Sequence, residues 1–298
     1  MARHRRYLIP TSVLRGAGQS LMALGVLVLL FAGFELWGTG FLQHRAQDSI
    51  KSEVTKYLPK PTNGLPVGPA TPFANTTPPV EGSWVGMISI PAIHLSQVIV
   101  QGTSVDDLRL GPGHYLGTPL PGEAGNVSIA GHRTTWAEPF RHLDQLHFGD
   151  PIIINTPRGE VLYRIYNIFV VKPSNVSVIA PSSDNILTLT TCNPPYSAAT
   201  RLVVKARLAA VQASGSQVTT PGTTVIVTQN VLSVADGGRG WWPVFLYGEL
   251  LLIILLFGRR WLLRSAYKPA VSVGLVVVTI PVLFELFNGI AWLLPAGY

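Results

Sequence analysis

The sequence predicts a small all-β barrel between membrane-spanning helices. Of its 298 residues, 47% are hydrophobic and only 12% are charged, which is unusual for a wholly soluble protein. Long apolar runs lie near both ends, and short strand-like segments crowd residues 81–210. The 29 Gly and 24 Pro indicate many turns, and the single cysteine, Cys192, excludes a disulfide framework within the chain.

Three apolar runs are candidate membrane spans, at residues 21–42, 241–258 and 271–294. Each approaches the roughly 20 residues that the bilayer core requires. A cleaved signal peptide is the alternative for the first run, because a basic start followed by an apolar stretch fits both. No A-x-A cleavage site follows that run, so we expect it to be kept as an anchor.

The positive charge is concentrated beside these runs. Removing the eight bases of two short tracts from the 22 Lys and Arg leaves 14 bases against 15 acids, which gives little support to nucleic-acid binding. Positive residues mark the cytoplasmic side of a span, so we expect a multi-pass plasma-membrane protein with the N-terminus inside and the C-terminus outside. The tracts consist of Arg3, Arg5, Arg6 and Arg15, and of Arg259, Arg260, Arg264 and Lys268.

Between the spans, one globular unit is expected at residues 81–210. Pro and Gly separate its β-branched runs, and seven or eight strands in about 130 residues are typical of a closed or nearly closed barrel. Residues 105–110 and 138–146 are short helical candidates. Strands are predicted at 85–90, 98–100, 126–130, 151–155, 161–171, 186–191 and 202–208. The other segments are a cytoplasmic N-terminus (1–20), a Pro/Thr-rich extracellular tether (43–80), an extracellular linker (211–240) and a cytoplasmic basic loop (259–270).

Three residues at strand ends have the chemistry of a nucleophilic site. Cys192 closes a strand signal, His132 follows another, and Arg201 opens the strand after Cys192. A thiol requires a proton acceptor, and a guanidinium can stabilise an oxyanion. Each residue alone has a simpler reading, as a buried thiol, a structural histidine or a surface arginine.

Taken together, the motifs resemble those of sortases, the membrane-anchored cysteine transpeptidases of Gram-positive envelopes. The run Thr188-Leu189-Thr190-Thr191-Cys192 satisfies the family signature Thr-Leu-x-Thr-Cys. The stretch GPGHYLGTPLPGEAGNVSIAGHRTT at 111–135, with LTLTTCNP from Leu187, is most similar to class E sortases. The two C-terminal apolar runs depart from the single N-terminal anchor usual in that class.

The resemblance implies an eight-stranded closed sortase β-barrel with short helices, in addition to the transmembrane helices. It implies that Cys192 attacks the Thr–Gly bond of a Leu-Pro/Ala-x-Thr-Gly sorting signal on a surface protein. His132 would transfer protons and Arg201 would hold the oxyanion, and the Thr would be joined to a cell-wall or pilin amine.

Weaker expectations concern the surroundings of this site. Tyr115 and Tyr196 are candidates for lining a peptide groove, and Thr191 for supporting the site or binding substrate, although simple packing is an equal alternative for the tyrosines. No metal site or cofactor is expected. Two other functions stay open: a non-catalytic envelope scaffold or sensor that binds peptide tails, and a thiol-dependent peptide hydrolase.

Overall fold

A computed structural model describes residues 11–61, 64–214, 241–264 and 268–293. Its centre is a closed barrel of eight strands in the order β1-β2-β3-β4-β7-β8-β6-β5. The strands are β1 Trp84–Ile90, β2 Leu95–Gln101, β3 Gly113–His114, β4 Asn126–Ala130, β5 Pro151–Thr156, β6 Gly159–Val171, β7 Ile186–Asn193 and β8 Thr200–Ala213. The helices are α1 Thr11–Gly33, α2 Thr39–Val54, α3 Val105–Leu110, α4 Trp242–Arg264 and α5 Lys268–Leu293, and a π-helical turn, Phe34–Gly38, joins α1 to α2.

The barrel is filled by apolar side chains that alternate along its strands. Ile88, Ile154, Leu187 and Leu189 are wholly buried in one core cluster. Tyr163 also lies in this core, and its hydroxyl accepts a hydrogen bond from the Gly122 N–H at 2.8 Å. Most neighbouring strands are antiparallel, but β4 and β7 are parallel. Their carboxyl ends therefore lie at the same edge of the barrel.

The predicted eight-stranded barrel with short helices is confirmed, with differences in its details. Strand β3 was not predicted, because it has only two residues, Gly113 directly after Pro112 and then His114, which are too few to show alternation. The helix expected at 138–146 is only a 3₁₀ turn, Leu143–Gln145. The left-handed backbone of Glu138 (φ 48°) is incompatible with a helix that includes this residue. Most of the predicted linker, at 215–240, lies outside the described residues.

The helix that carries the first apolar run begins at Thr11 and continues through the π-helical turn to Val54, well beyond the expected end of the span at residue 42. Its buried face carries Thr39, Gln43 and Gln47 and then Ile50 and Val54, a stripe that is polar in its first half. Because the stripe is polar there, hydrophobic periodicity alone did not reveal it. The Gln47 amide donates to the Val98 and Leu110 carbonyls and accepts from the Val98 N–H, so α2 is fixed to the barrel.

The predicted tether, 43–80, begins inside helix α2, and its later part, residues 64–80, lies on the barrel. The Val211 N–H donates to the Pro69 carbonyl at 3.1 Å, and the Phe73 ring lies 4.3 Å from the Arg158 guanidinium carbon. The buried Glu123 carboxylate pairs with Arg158 at 2.9 Å and accepts from the Thr76 N–H. The segment is extended, as its composition predicts, and it is also bound to the barrel along its length.

Two helical stretches are long and apolar enough to cross a membrane, Leu21–Val54 and Val271–Ala291. The apolar part of α4, Trp242–Gly258, is shorter. Helices α4 and α5 pack against each other. Phe34, the first residue of the π-helical turn, packs against Phe287 and Ala291 of α5. The first and last apolar helices therefore meet close to the barrel.

Candidate active site

Cys192 and Arg201 face each other across two adjacent strands. They are register partners in the antiparallel β7–β8 pair, at the end of the hairpin. The Arg201 Nη1 donates to the Ala198 and Thr200 carbonyls at 3.1 and 3.2 Å, which holds the guanidinium at this end of the barrel. The spacing of nine residues in the sequence thus corresponds to a direct cross-strand pair.

His132 comes to the same edge from the parallel strand β4. Ala130 is the register partner of Thr190, so His132 and Cys192 each lie two residues beyond that pair in the same direction. The His132 side chain is buried, and its Nε2 has no hydrogen-bond partner among the described residues. The imidazole is therefore held near the strand ends without a bond that would engage this nitrogen.

The three residues line one cleft of about 390 Å³. Its walls also include Thr103, Leu108, Tyr115, Pro173 and Thr191. A second cavity, of about 420 Å³, lies between α2 and the barrel, and its walls contain none of the three. The first cleft is therefore the candidate active site.

The segment that carries His132 is held by β7. The Thr191 hydroxyl is buried and donates to the Gly131 carbonyl at 2.7 Å, and the Gly131 N–H donates to the Thr190 carbonyl. A Cβ at Gly131 would lie 2.7 Å from the Phe140 ring, so only glycine fits this position. Farther along, the Phe140 N–H donates to the His132 carbonyl at 3.0 Å and closes the loop.

Arg133 is part of this site although the sequence analysis did not select it. Its side chain is buried, and Nη1 donates to the Cys192 carbonyl at 3.3 Å and to Asn193 Oδ1 at 2.6 Å. Nη2 forms an ion pair with Asp144 at 3.2 Å. The position of Arg133 directly after His132 was the one feature of the sequence that could have identified it. Arg133 connects the histidine segment to the end of the cysteine strand.

The two tyrosines predicted to line the groove lie in different places. Tyr115 is in the cleft wall, and its hydroxyl lies 3.0 Å from the Thr190 hydroxyl. Tyr196 is 66% exposed in the β7–β8 connection and is not among the residues that line the cleft. Its left-handed backbone, with φ of 63°, is typical of a turn.

Burial shifts both titrating groups of the site towards their neutral forms. It lowers the pKa of His132 from 6.5 to about 4, and the positive charge of Arg109 acts in the same direction. Burial also raises the pKa of the Cys192 thiol, while Arg201 and Arg133 partly oppose this effect. Near neutral pH the resting pair is therefore a thiol and a neutral imidazole.

Comparison with known proteins identifies the family. A family model described as the sortase domain matches residues 88–209. Sortase D of Bacillus subtilis is 30% identical over 178 residues, which cover 58% of this chain and 86% of that protein. This chain belongs to the sortase family. The predicted resemblance to sortases, and to class E in particular, is confirmed.

Two further sortases are similar to this chain. Sortase SrtE1 of Streptomyces coelicolor is 31% identical over 206 residues, which cover 64% of this chain but only 55% of that protein. A solved structure of a Clostridium perfringens sortase D5 transpeptidase is 36% identical, covers 44% of this chain and 82% of its own, and superposes with a TM-score of 0.42. The family is one of transpeptidases, and its members act on sorting-signal substrates.

Proposed function

We propose that this sortase is a cysteine transpeptidase in which Cys192 is the nucleophile, His132 the proton carrier and Arg201 the oxyanion donor. The observation that carries this proposal is the common cleft, where three residues from separate segments meet at one edge of the barrel. A cleft with a thiol, an imidazole and a guanidinium provides the three groups that acyl transfer requires.

The reaction begins from the neutral pair. The Cys192 thiol transfers its proton to His132 as Sγ attacks the Thr carbonyl of the Thr–Gly bond, and the carbonyl oxygen becomes an oxyanion. When the C–N bond breaks, the His132 imidazolium gives this proton to the leaving glycine amine. A thioester between Thr and Cys192 remains. A second amine then attacks, its proton passes to His132, and the C–S bond breaks with return of a proton to sulfur.

Arg201 is suited to stabilise the oxyanion because it is the cross-strand partner of Cys192. The two bonds from its Nη1 to the hairpin carbonyls orient the guanidinium before substrate arrives. Preorganised donors of this kind lower the barrier most, since they do not reorient during the reaction.

The proposed substrates and location follow from the family resemblance and the charge pattern. The donor is a surface protein with a Leu-Pro/Ala-x-Thr-Gly signal, and the acceptor is a cell-wall or pilin amine of a Gram-positive envelope. The enzyme lies in the plasma membrane with spans at 21–42, 241–258 and 271–294 and the catalytic barrel outside. Basic residues before the first span and between the last two support this orientation.

Mass spectrometry of the full chain with Leu-Pro- and Leu-Ala-type peptides and an added amine tests the proposal. We expect an acyl adduct on Cys192 and a joined product, both absent from Cys192→Ala. Arg201→Lys should still react with a small alkylating agent but lose about 100-fold or more in joining, because a lysine ammonium cannot form the planar fork. Cleavage without joining would indicate a hydrolase, and peptide binding without cleavage a scaffold.

A further inference from the structure

Arg109 connects the last apolar helix to the barrel. It lies in α3, its side chain is only 3% exposed, and its Nη1 pairs with Asp106 at 3.2 Å. Its Nη2 donates to the carbonyl of Ala291 in the last turn of α5, at 2.9 Å. Carbonyls in the last turn of a helix lack intrahelical partners and form its negative end, so they are natural acceptors for a guanidinium.

The same guanidinium contacts the His132 loop, residues 132–140, which is closed by the bond from the Phe140 N–H to the His132 carbonyl. Its central carbon lies 5.2 Å from the centre of the Trp136 ring, within the range of a cation–π contact. The backbone N–H of Trp136 donates to the Thr39 hydroxyl of α2 at 3.3 Å. Both apolar helices therefore meet the loop at Trp136, the first directly and the last through Arg109.

The backbone of this loop requires support from outside. Trp136, Ala137 and Glu138 have φ values of 53°, 52° and 48°. Consecutive left-handed residues other than glycine are strained, and they persist only where neighbouring structure holds them. The hydroxyl of Thr39 and the Arg109 guanidinium provide such contacts, and Arg109 also neighbours Leu108 in the cleft wall.

We infer that Arg109 is a positioning residue through which the end of α5 holds the His132 loop in its working arrangement. The C-terminal helices are then part of the active-site architecture as well as an anchor. This inference rests on the proposed function, because it assumes that the position of His132 limits the rate. It predicts that a change at the end of α5 alters turnover in the barrel.

The test uses the full chain in lipid nanodiscs and measures kcat and KM for peptide joining. Arg109→Met keeps the aliphatic stem but removes both donors, and we expect kcat to fall about 10- to 100-fold with little change in KM, as expected for a displaced catalytic group. Arg109→Lys, which retains one donor for the carbonyl, should recover part of this loss. Arg164→Met is the matched control, because Arg164 is exposed and also donates to a carbonyl, that of Gly149.

A second variant perturbs the helix instead of the arginine. Ala291 is buried beside Phe34 and Phe287, so Ala291→Leu should displace the helix end and lower kcat in the same way. Val277→Leu, on the exposed face of α5, should have no effect. If both changes break one contact, the double variant Arg109→Met/Ala291→Leu should lose no more than the worse single variant.

The outcomes separate this inference from the proposed function. A wild-type chain that joins no peptide would overturn the proposed function. Joining by wild type with unchanged kcat in Arg109→Met, or fully additive losses in the double variant, would overturn only the role of Arg109. If Arg109→Met does not fold, Arg109→Lys and Ala291→Leu decide the question, and wild-type kcat in Ala291→Leu contradicts the inference.

Discussion

The buried His132 should make the barrel sensitive to mild acid. Its pKa is about 4 in the folded chain, against an ordinary value of 6.5. Between these values the unfolded chain binds the proton more tightly than the folded chain, so stability falls as the pH is lowered. At 1.36 kcal/mol per pH unit, the full difference corresponds to about 3 kcal/mol. This contribution is complete above pH 6.5 and is lost as the pH falls through 4.

Urea unfolding of the full chain in detergent, followed by near-ultraviolet circular dichroism from pH 7 to pH 4.5, measures this effect. The wild-type free energy of unfolding should fall more than that of His132→Gln over this pH range, by about 2 kcal/mol. His114 is also buried with a lowered pKa, but it is present in both proteins and cancels in the comparison. His147→Gln, at an exposed site, should follow wild type. Parallel curves for wild type and His132→Gln would refute the argument.

Three further substitutions test the packing behind the site. Thr191→Val removes the bond to the Gly131 carbonyl and should cost about 1–3 kcal/mol in urea unfolding and slow joining; unchanged turnover would exclude a supporting role. Gly131→Ala places a methyl against the Phe140 ring, so calorimetry should show a loss of about 1–3 kcal/mol, and an unchanged melting temperature would contradict the contact. Tyr163→Phe leaves the Gly122 N–H without its acceptor and should destabilise by about 1–3 kcal/mol in guanidinium, whereas neutrality would mean that another acceptor replaces it.

The sequence predicted most of the barrel because its strands carry the necessary information locally. The predicted strand 126–130 matches β4 in both bounds, and the α3 prediction matches Val105–Leu110. Strand β3 could not be found this way, since its pairing depends on distant segments. Helix α2 was also missed in part, because Thr39, Gln43 and Gln47 are polar and become buried only when the barrel is present.

The placement of the candidate site could also be predicted from the sequence in part. Arg201, nine positions after Cys192, was expected to open the next strand, and the structure has that pair in register. The parallel pairing of β4 with β7 cannot be read from a spacing of 60 residues. Arg133 was overlooked because a lone arginine after a histidine has no periodic signature, although its buried contacts join the two segments. The catalytic roles remain proposals.

The continuous helix through Val54 has a consequence for the substrates of the membrane enzyme proposed above. The part of α2 beyond the proposed span, residues 43–54, extends about 18 Å, and Gln47 fixes it to the barrel. In the proposed membrane arrangement the cleft would therefore stand at a set height above the lipid surface, in contrast to the variable height that a flexible leader would allow. A membrane-bound substrate must match that height with the number of residues between its own anchor and its scissile bond. Spacer length would then select substrates independently of the recognition motif.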